Sequence, residues 1–179
     1  MHHDIAEILV SEQEIVSICD RLGKQLTEDY KDKNPLLVGL LKGCMPFMSD
    51  LSKKIDLKLE VAYMSVSSYH GGINSSGDVK IKMDLDLSIM NRDVLIVEDI
   101  VDTASTMVTI IELFKHRGAK SVKTVTLLDK PEGRKRPYQP EYVGKIIPKA
   151  FVVGYGLDYN EYYRNLPYVG ILKPEIYNH

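Results

Sequence analysis

Three acidic side chains lie close together in the segment VLIVEDIVDTASTM, which covers Val94 to Met107. Glu98 and Asp99 follow a run of apolar residues, and Asp102 comes shortly after them. Carboxylates in this arrangement suit a sugar diol or a hydrated Mg²⁺, because magnesium prefers oxygen ligands. Any one of these acids alone would be an ordinary helix cap, but the three together exceed what capping requires.

A run of small and hydroxyl-bearing residues, Thr103, Ala104, Ser105 and Thr106, follows Asp102 directly. The apolar residues after this run recur at helical spacing, so we predict that it forms the start of a helix. Free backbone amides and the helix dipole favour a phosphate group at such a position. The run lacks the glycines of a Walker-type loop or a dinucleotide-binding turn. It therefore predicts a site for a phosphorylated sugar with a diol and a metal-bound group.

The elements that must position these residues alternate between strands and helices. Ser11 and Glu14 form a capping box at the start of the first helix. Continuous apolar runs of strand length are typical of a parallel sheet that is covered on both faces. We predict helices at about residues 12–31, at 46–54 and after the acidic segment, and strands at 36–41, 58–66, 79–85, 94–97, 121–129 and twice within 151–172.

The composition restricts the class of protein. The chain has 179 residues, 44% of them hydrophobic and 27% charged, which is typical of one compact globular domain. Its net charge of −2 gives no positive field for nucleic acid. The only dense basic run, Arg134 to Arg136, is interpreted as a solvated loop. Cys19 and Cys44 indicate a reducing compartment, and the amino end shows no signal pattern. We therefore expect a cytoplasmic protein without membrane or nucleic-acid partners.

The acidic segment resembles the phosphoribosyl-pyrophosphate signature of the type I phosphoribosyltransferases. The rest of the chain, from about Leu36 to Leu172, resembles the hypoxanthine(-guanine) phosphoribosyltransferases within that family. The matching pieces are LLKG at 40–43, SSY at 67–69, the acidic segment, LLDK at 127–130 and FVVGYGLDYNEYYR at 151–164. The resemblance implies a single α/β domain over residues 1–179, with a mostly parallel sheet flanked by helices. It also implies a small hood formed by the N-terminal residues and about residues 148–179.

The resemblance assigns a role to each residue of the acidic segment. Glu98 and Asp99 match the acids that serve the ribose hydroxyls and the metal, and Asp102 matches the general base. The loop from Thr103 to Thr106, which includes Ala104 and Ser105, matches the 5′-phosphate site. Ala104 departs from the family, which more often has glycine there. Because alanine disfavours positive φ, we predict a negative φ at Ala104 and an intact loop.

Purine and pyrophosphate contacts are implied by other segments. Lys130 matches the lysine that donates to the purine 6-oxygen, and Phe151 and Val152 match residues that stack on and edge the ring. Asp158 matches a further acid of the purine site and the metal, and Arg164 matches the pyrophosphate-binding arginine. The remaining matches are the pyrophosphate-binding turn Leu41, Lys42 and Gly43, commonly with a cis peptide between the first two, and the lid residues Ser68 and Tyr69.

The implied activity is the transfer of a phosphoribosyl group from 5-phosphoribosyl 1-pyrophosphate to a 6-oxopurine, with Mg²⁺ as cofactor. The expected products are IMP or GMP and pyrophosphate, and the expected assembly is a homodimer or homotetramer. The ranking of hypoxanthine, guanine and xanthine stays open. The alternative is a regulatory protein that senses nucleotides and binds nucleic acid. Such a protein would be expected to carry a basic face and to lack the purine-contacting residues.

Overall fold

The elements of the chain alternate between strand and helix over much of its length. The structure is a computed structural model that describes residues 1–68 and 79–178. Its helices are α1 (Glu12–Asp29), α2 (Met45–Ser52), α3 (Ser105–His116) and α4 (Pro174–Tyr177). Its strands are β1 (Ile5–Val10), β2 (Leu36–Leu41), β3 (Glu60–Ser68), β4 (Val79–Met83), β5 (Asp93–Val101), β6 (Ser121–Asp129), β7 (Tyr142–Ile146), β8 (Val152–Val153) and β9 (Val169–Leu172).

A six-stranded sheet in the order β4-β3-β2-β5-β6-β7 forms the centre of the molecule. All neighbouring strands are parallel except β4, which pairs antiparallel with β3 at one edge. Strand β2 carries no polar side chain, and β2, β5 and β6 are largely buried because both of their faces are covered. The predicted α/β class with a mostly parallel sheet is confirmed.

Helices cover the two faces of this sheet, and alternate residues of each strand point to opposite sides. Leu37 and Leu95 pack in the hydrophobic cluster that includes α1 and α2. Leu36 and Ile96 pack in the cluster on the other face, which includes α3. In parallel strands the carboxyl ends lie along one edge, so the segments that follow β2, β5 and β6 are brought to the same rim of the sheet.

The second sheet joins distant parts of the chain in the order β1-β9-β8. Strand β1 pairs antiparallel with β9, from Ile5 opposite Leu172 to Val10 opposite Val169. Strand β8 pairs with the other side of β9. These three strands form the hood that the resemblance implied.

Most predicted elements are present with small changes in their bounds. Strands β2 and β6 begin and end at the predicted residues, and the predicted cap of α1 is present, since the Ser11 side chain accepts a hydrogen bond from the amide of Glu14. β1, β7 and α4 were not predicted. Strands β3 and β4 form the predicted hairpin, but its tip, including Tyr69, lies outside the described residues.

The interpretation of the basic run as a solvated loop is wrong for Arg134. Lys135 and Arg136 are exposed, whereas the Arg134 side chain is only 13% exposed and forms an ion pair with the buried Asp129. A buried carboxylate needs a hydrogen-bonded partner, and Arg134 is that partner. Within residues 1–68 and 79–178, no helix has the length and apolar character needed to cross a membrane.

Candidate active site

A cavity of about 730 Å³ opens at the carboxyl ends of β2 and β5. Its lining includes most of the residues singled out from the sequence: Leu41, Lys42, Gly43, Glu98, Asp99, Asp102, Thr103, Ala104, Thr106, Asp158 and Arg164. The structure therefore brings together side chains that are more than 100 residues apart in the chain.

Four predicted residues of the described part of the chain are not part of this lining, and the side chains of two more are not described. Ser105 begins α3 beside the cavity. Lys130 contacts the lining residue Asp102, and Phe151 and Val152 lie at the start of β8. Ser68 ends β3, but its side chain is not described, and Tyr69 lies outside the described residues.

Glu98 and Asp99 form a pair of carboxyl groups within the last part of β5. The amide of Asp99 donates to Glu98 Oε1 at 3.2 Å, and the amide of Ile100 donates to Asp99 Oδ1 at 2.7 Å. Burial raises the pKa of Glu98 well above its usual range, and the adjacent charge of Asp99 adds to this shift. Burial also raises the pKa of Asp99. Both shifts reflect the cost of placing two adjacent negative charges at a buried position.

The donor set at this pair fits Mg²⁺. Magnesium is usually held by one or two carboxylates together with substrate oxygens and water, and a cation beside Glu98 and Asp99 would relieve the repulsion between them. Asp158 is already engaged, because its carboxylate accepts hydrogen bonds from Arg164 and from the amide of Glu161. Within residues 1–68 and 79–178, no three His, Cys, Asp or Glu side chains form a complete metal site. Glu98 and Asp99 would hold the ion together with further oxygen ligands.

The loop from Asp102 to Thr106 leads from β5 into α3. Helix α3 has no side-chain cap at Ala104, and the amide of Ser105 makes only a long contact of 3.4 Å with Thr103 Oγ1. The first amides of this helix are thus available to a ligand in the cavity. Together with the helix dipole and the hydroxyl groups of the loop, they can bind a phosphate group.

The predicted negative φ at Ala104 is wrong. Ala104 has φ 63° and ψ 2°, which is the left-handed conformation. The chain passes from the end of β5 into α3 with few residues between them, and a left-handed residue makes that sharp turn possible. The methyl group of Ala104 is buried in the same hydrophobic cluster as Val101 and Met107, and this packing offsets part of the cost of the unfavourable backbone conformation.

The turn after β2 approaches Asp99 closely. The peptide bond between Leu41 and Lys42 is cis, as the resemblance implied. A Cβ atom added to Gly43 would collide with the Asp99 carboxylate, and one added to Gly156 would collide with the carbonyl oxygen of Gly43. Only a residue without a side chain fits at Gly43, so its backbone amide can lie beside the acidic pair.

A network of charged side chains forms another wall of the cavity. Arg164 donates to the carbonyl oxygen of Gly156 at 2.7 Å and to Asp158 at 2.9 Å. Lys42 lies 2.7 Å from Glu161, which also contacts Arg164 at 3.4 Å. The Nε atom of Arg164 is buried and has no hydrogen-bond partner among the described residues, so it can donate to a ligand.

Glu161 was missed by the sequence reasoning. It lies midway between Asp158 and Arg164 in a segment quoted for its resemblance, and that spacing was a usable signal. The carboxylate of Glu161 thus contacts two cationic side chains, Lys42 and Arg164.

Asp102 and Lys130 meet beside the cavity. Lys130 Nζ lies 2.5 Å from Asp102 Oδ2 and 3.5 Å from the carbonyl oxygen of Ala150. Phe151 is 39% exposed and stacks on Tyr177 with ring centroids 4.7 Å apart, and the edge of Tyr159 packs against it. Neither tyrosine was singled out from the sequence: Tyr177 belongs to α4, which was not predicted, and Tyr159 lies within the segment quoted for its resemblance. This side of the site offers an aromatic ring, a cation and an acid.

Comparisons with known proteins agree on one family. The model of a family described as phosphoribosyl transferase domain matches residues 6–160. A hypoxanthine-guanine phosphoribosyltransferase of Staphylococcus aureus is 56% identical over 178 residues, which cover 99% of each chain. A bifunctional TilS/HprT protein of Listeria innocua is 57% identical over 178 residues, but the chain spans only 28% of its length. The crystal structure of a hypoxanthine phosphoribosyltransferase from Staphylococcus aureus, 55% identical, superposes with a TM-score of 0.96 over 100% of this chain and 97% of that one.

Proposed function

The chain belongs to the phosphoribosyl transferase family, and on that premise we propose that it transfers the phosphoribosyl group of 5-phosphoribosyl 1-pyrophosphate to a 6-oxopurine. The observation that carries this proposal is the convergence of three kinds of group on one cavity. These are a helix start suited to phosphate, a pair of carboxyl groups suited to a sugar diol and Mg²⁺, and the adjacent Asp102 and Lys130. The similarity to enzymes named for hypoxanthine supports the choice of purine.

We assign the sugar phosphate to the loop at the start of α3. The amides and hydroxyl groups of Thr103, Ser105 and Thr106 would hold the 5′-phosphate. Glu98 and Asp99 would bind the ribose hydroxyls and a magnesium ion, which when bound neutralises charge on the leaving diphosphate.

The diphosphate is placed at the turn after β2 and the charged wall opposite it. Backbone amides of Lys42 and Gly43 and the free Nε of Arg164 would donate to its oxygens. Glu161 would have to give up its contacts with Lys42 and Arg164 as the diphosphate enters, because the anion competes for the same cations.

The purine is placed between Phe151 and the pair formed by Asp102 and Lys130. Lys130 would donate to the 6-oxygen, which favours oxopurines, since the 6-amino group of adenine is itself a donor. Asp102 would accept the proton from one imidazole nitrogen while the other nitrogen attacks the anomeric carbon. A carbon–nitrogen bond forms, the bond to the pyrophosphate oxygen breaks, and pyrophosphate leaves.

The experiment that tests this function follows the ultraviolet spectra of hypoxanthine, guanine, xanthine and adenine, each mixed with the sugar donor and Mg²⁺. We expect nucleotide formation and pyrophosphate release with hypoxanthine and no reaction with adenine. Absence of pyrophosphate with every 6-oxopurine, or a preference for adenine, would contradict the proposal. Retention of nucleic acid at moderate salt without turnover would instead support the regulatory alternative.

We also propose that the enzyme works in the cytoplasm as a homodimer or homotetramer. Cys19 and Cys44 are both buried and free, which fits a reducing compartment. The assembly is carried over from the family resemblance, and light scattering of the purified protein measures it directly.

A further inference from the structure

Arg134 connects the ends of two neighbouring strands behind the cavity. Its guanidinium donates to the carbonyl oxygens of Val101 and Asp102 at 2.8 Å each, of Tyr138 at 3.0 Å and of Lys130 at 3.4 Å, and to the carboxylate of Asp129. The Arg134 side chain is 13% exposed and Asp129 is 1% exposed. The interaction is therefore largely shielded from water, where hydrogen bonds to a charged group are strong.

These contacts join the two segments that carry the purine-side groups. Asp102 follows β5, and Lys130 follows β6, which is its parallel neighbour. The amide of Lys130 donates to the carbonyl oxygen of Val101 at 2.9 Å. The guanidinium of Arg134 donates to the same carbonyl oxygen and lies behind both segments. In front, the side chains of Asp102 and Lys130 come within 2.5 Å of each other.

The phosphate loop has a separate attachment. The carbonyl oxygen of Thr103 accepts hydrogen bonds from the amides of Lys135 and Arg136 at 3.0 and 3.2 Å. These are backbone contacts and do not use the Arg134 side chain. The Arg134 side chain therefore contacts the loop at Asp102, whereas the contacts to Thr103 come from the amides of Lys135 and Arg136.

Lysine cannot reproduce the contacts of Arg134. A guanidinium presents five donors in a fixed plane, whereas an ammonium group has three donors on a flexible stem. Lysine can still place a positive charge beside the buried Asp129. The two functions of Arg134, balancing a buried charge and fixing backbone carbonyls, can therefore be separated by one substitution.

We infer that Arg134 is a positioning residue for the purine reaction, because it sets the distance between Asp102 and Lys130 through the backbone segments that bear them. The inference rests on the proposed function for its catalytic consequence. Its geometric part, the spacing of the two side chains, stands independently of any substrate.

The test compares Arg134→Lys with the wild type and with Arg21→Lys. Arg21 is a matched control, because it also donates to two backbone carbonyls, those of Val143 and Gly144, but is not part of the cavity lining. We expect Arg134→Lys to fold with a melting temperature near that of the wild type. Its kcat with hypoxanthine should fall about 100-fold, since small displacements of reacting groups have effects of this size.

The KM for 5-phosphoribosyl 1-pyrophosphate should change less than about threefold in Arg134→Lys, because the Thr103 attachment remains. Arg21→Lys should keep both constants. A crystal structure of Arg134→Lys should show Lys130 Nζ and Asp102 Oδ2 farther apart than the 2.5 Å of the unchanged protein. Unchanged kcat together with an unchanged distance would overturn the inference and leave Arg134 as a charge partner of Asp129 only.

A second variant covers the case in which Arg134→Lys does not fold. Arg134→Met combined with Asp129→Asn removes the buried ion pair as a whole and leaves no uncompensated charge. The double variant should fold and have the same low kcat, and wild-type kcat in it would overturn the inference. If the wild-type protein itself releases no pyrophosphate, the proposed function fails, while the crystallographic distance still decides the role of Arg134.

Discussion

In the proposed function, Asp102 would act as the proton acceptor and Lys130 as the hydrogen-bond donor to the purine. The two side chains lie 2.5 Å apart, so each occupies a hydrogen-bonding position of the other. A 6-oxopurine offers an oxygen to Lys130 and an N–H to Asp102, and so satisfies both groups at once.

We expect Asp102→Asn to lower turnover about 100-fold to 10,000-fold, which is the usual effect of losing a general base. The amide keeps the shape of the side chain but does not accept a proton. Pyrophosphate release at saturating substrates measures turnover, and calorimetry measures the Kd of the sugar donor, which should stay close to that of the wild type. Glu112→Gln, a change at an exposed acid of α3, is the control. Equal turnover in Asp102→Asn would remove Asp102 from its proposed role.

The raised pKa of Glu98 predicts a pH-dependent stability. The folded protein keeps a proton on Glu98 that the unfolded chain releases above its ordinary pKa of 4.5. The folded state binds more protons, so the free energy of unfolding decreases as pH rises toward the folded-state pKa. Glu98→Gln removes this titration, and we expect its melting temperature to fall less than that of the wild type as pH is raised from about 5 to about 8. Circular dichroism at each pH measures the melting temperature. An equal dependence on pH in the two proteins would contradict the raised pKa of Glu98.

Ala104 shows where the residue-level prediction failed. Alanine does prefer negative φ. At Ala104, however, the conformation is determined by the short connection from β5 to α3 and by the burial of the methyl group. Intrinsic preferences of about 1–2 kcal/mol are readily exceeded by tertiary packing.

Ala104→Gly and Ala104→Val form a pair that tests this balance. Glycine relieves the left-handed backbone, worth about 1–2 kcal/mol, but loses a buried methyl group worth about 0.8 kcal/mol and adds entropy to the unfolded chain. We expect the free energy of unfolding to change by less than about 1 kcal/mol. Valine should lower it by about 2 kcal/mol or more, because it adds volume and a β-branch at positive φ. Urea denaturation measures both, and a similar loss in the two variants would contradict the account.

At the scale of elements, the turn between β2 and α2 depends on the small size of Gly43. Asp99 of β5 occupies the space that a side chain on Gly43 would need, and Gly156 packs close to the Gly43 carbonyl on another side. The turn can therefore lie against the acidic pair only with glycine at this position. The sequence alone indicated an ordinary strand-to-helix turn, and the prediction that this turn binds pyrophosphate rests on the family resemblance.

Gly43→Ala should displace this turn and raise the KM for 5-phosphoribosyl 1-pyrophosphate about tenfold or more. The added methyl group should also lower the free energy of unfolding by about 1–3 kcal/mol, which is typical of overpacking. Steady-state kinetics and urea denaturation measure the two effects. Ser49→Ala, at an exposed position of α2, should change neither, and an unaltered KM in Gly43→Ala would show that the turn does not contact the sugar donor.

The sequence predicted an element correctly where the residues of that element alone determine its structure. Strand β2 is a run of buried apolar residues, so its bounds follow from hydropathy. Strand β6 is more polar, but it is rich in β-branched residues, which favour strands. Strand β1 was missed because only Val10 of its six residues is fully buried and its partner, β9, lies at the other end of the chain. Helix α4 has only four residues and none of them is buried, so the sequence did not place Tyr177 against Phe151.

At the scale of the whole molecule, the hood and the central sheet share hydrophobic packing. Val152, Tyr155 and Val169 belong to the same buried cluster as residues of α1, α2 and the larger sheet. The hydroxyl group of Tyr155 also donates to Asp50 of α2 at 2.6 Å. The two sheets are thus parts of one packed interior.

We therefore expect the chain to unfold in a single cooperative transition in urea. Far-ultraviolet circular dichroism reports the helices and sheets, and tyrosine fluorescence is suitable as the second probe, because the chain has 11 tyrosines and no tryptophan. The two transitions should coincide. A separate early transition would show that the hood unfolds on its own.

The pairing of β1 with β9 has a consequence for synthesis on the ribosome. Strand β1 leaves the ribosome well before β9, because the strand that completes its hydrogen bonds is made roughly 160 residues later. At about 5–20 residues per second, this interval lasts roughly ten to thirty seconds. During that time the nascent chain carries an unsatisfied strand edge, so the β1-β9-β8 sheet is completed only after translation has passed β9.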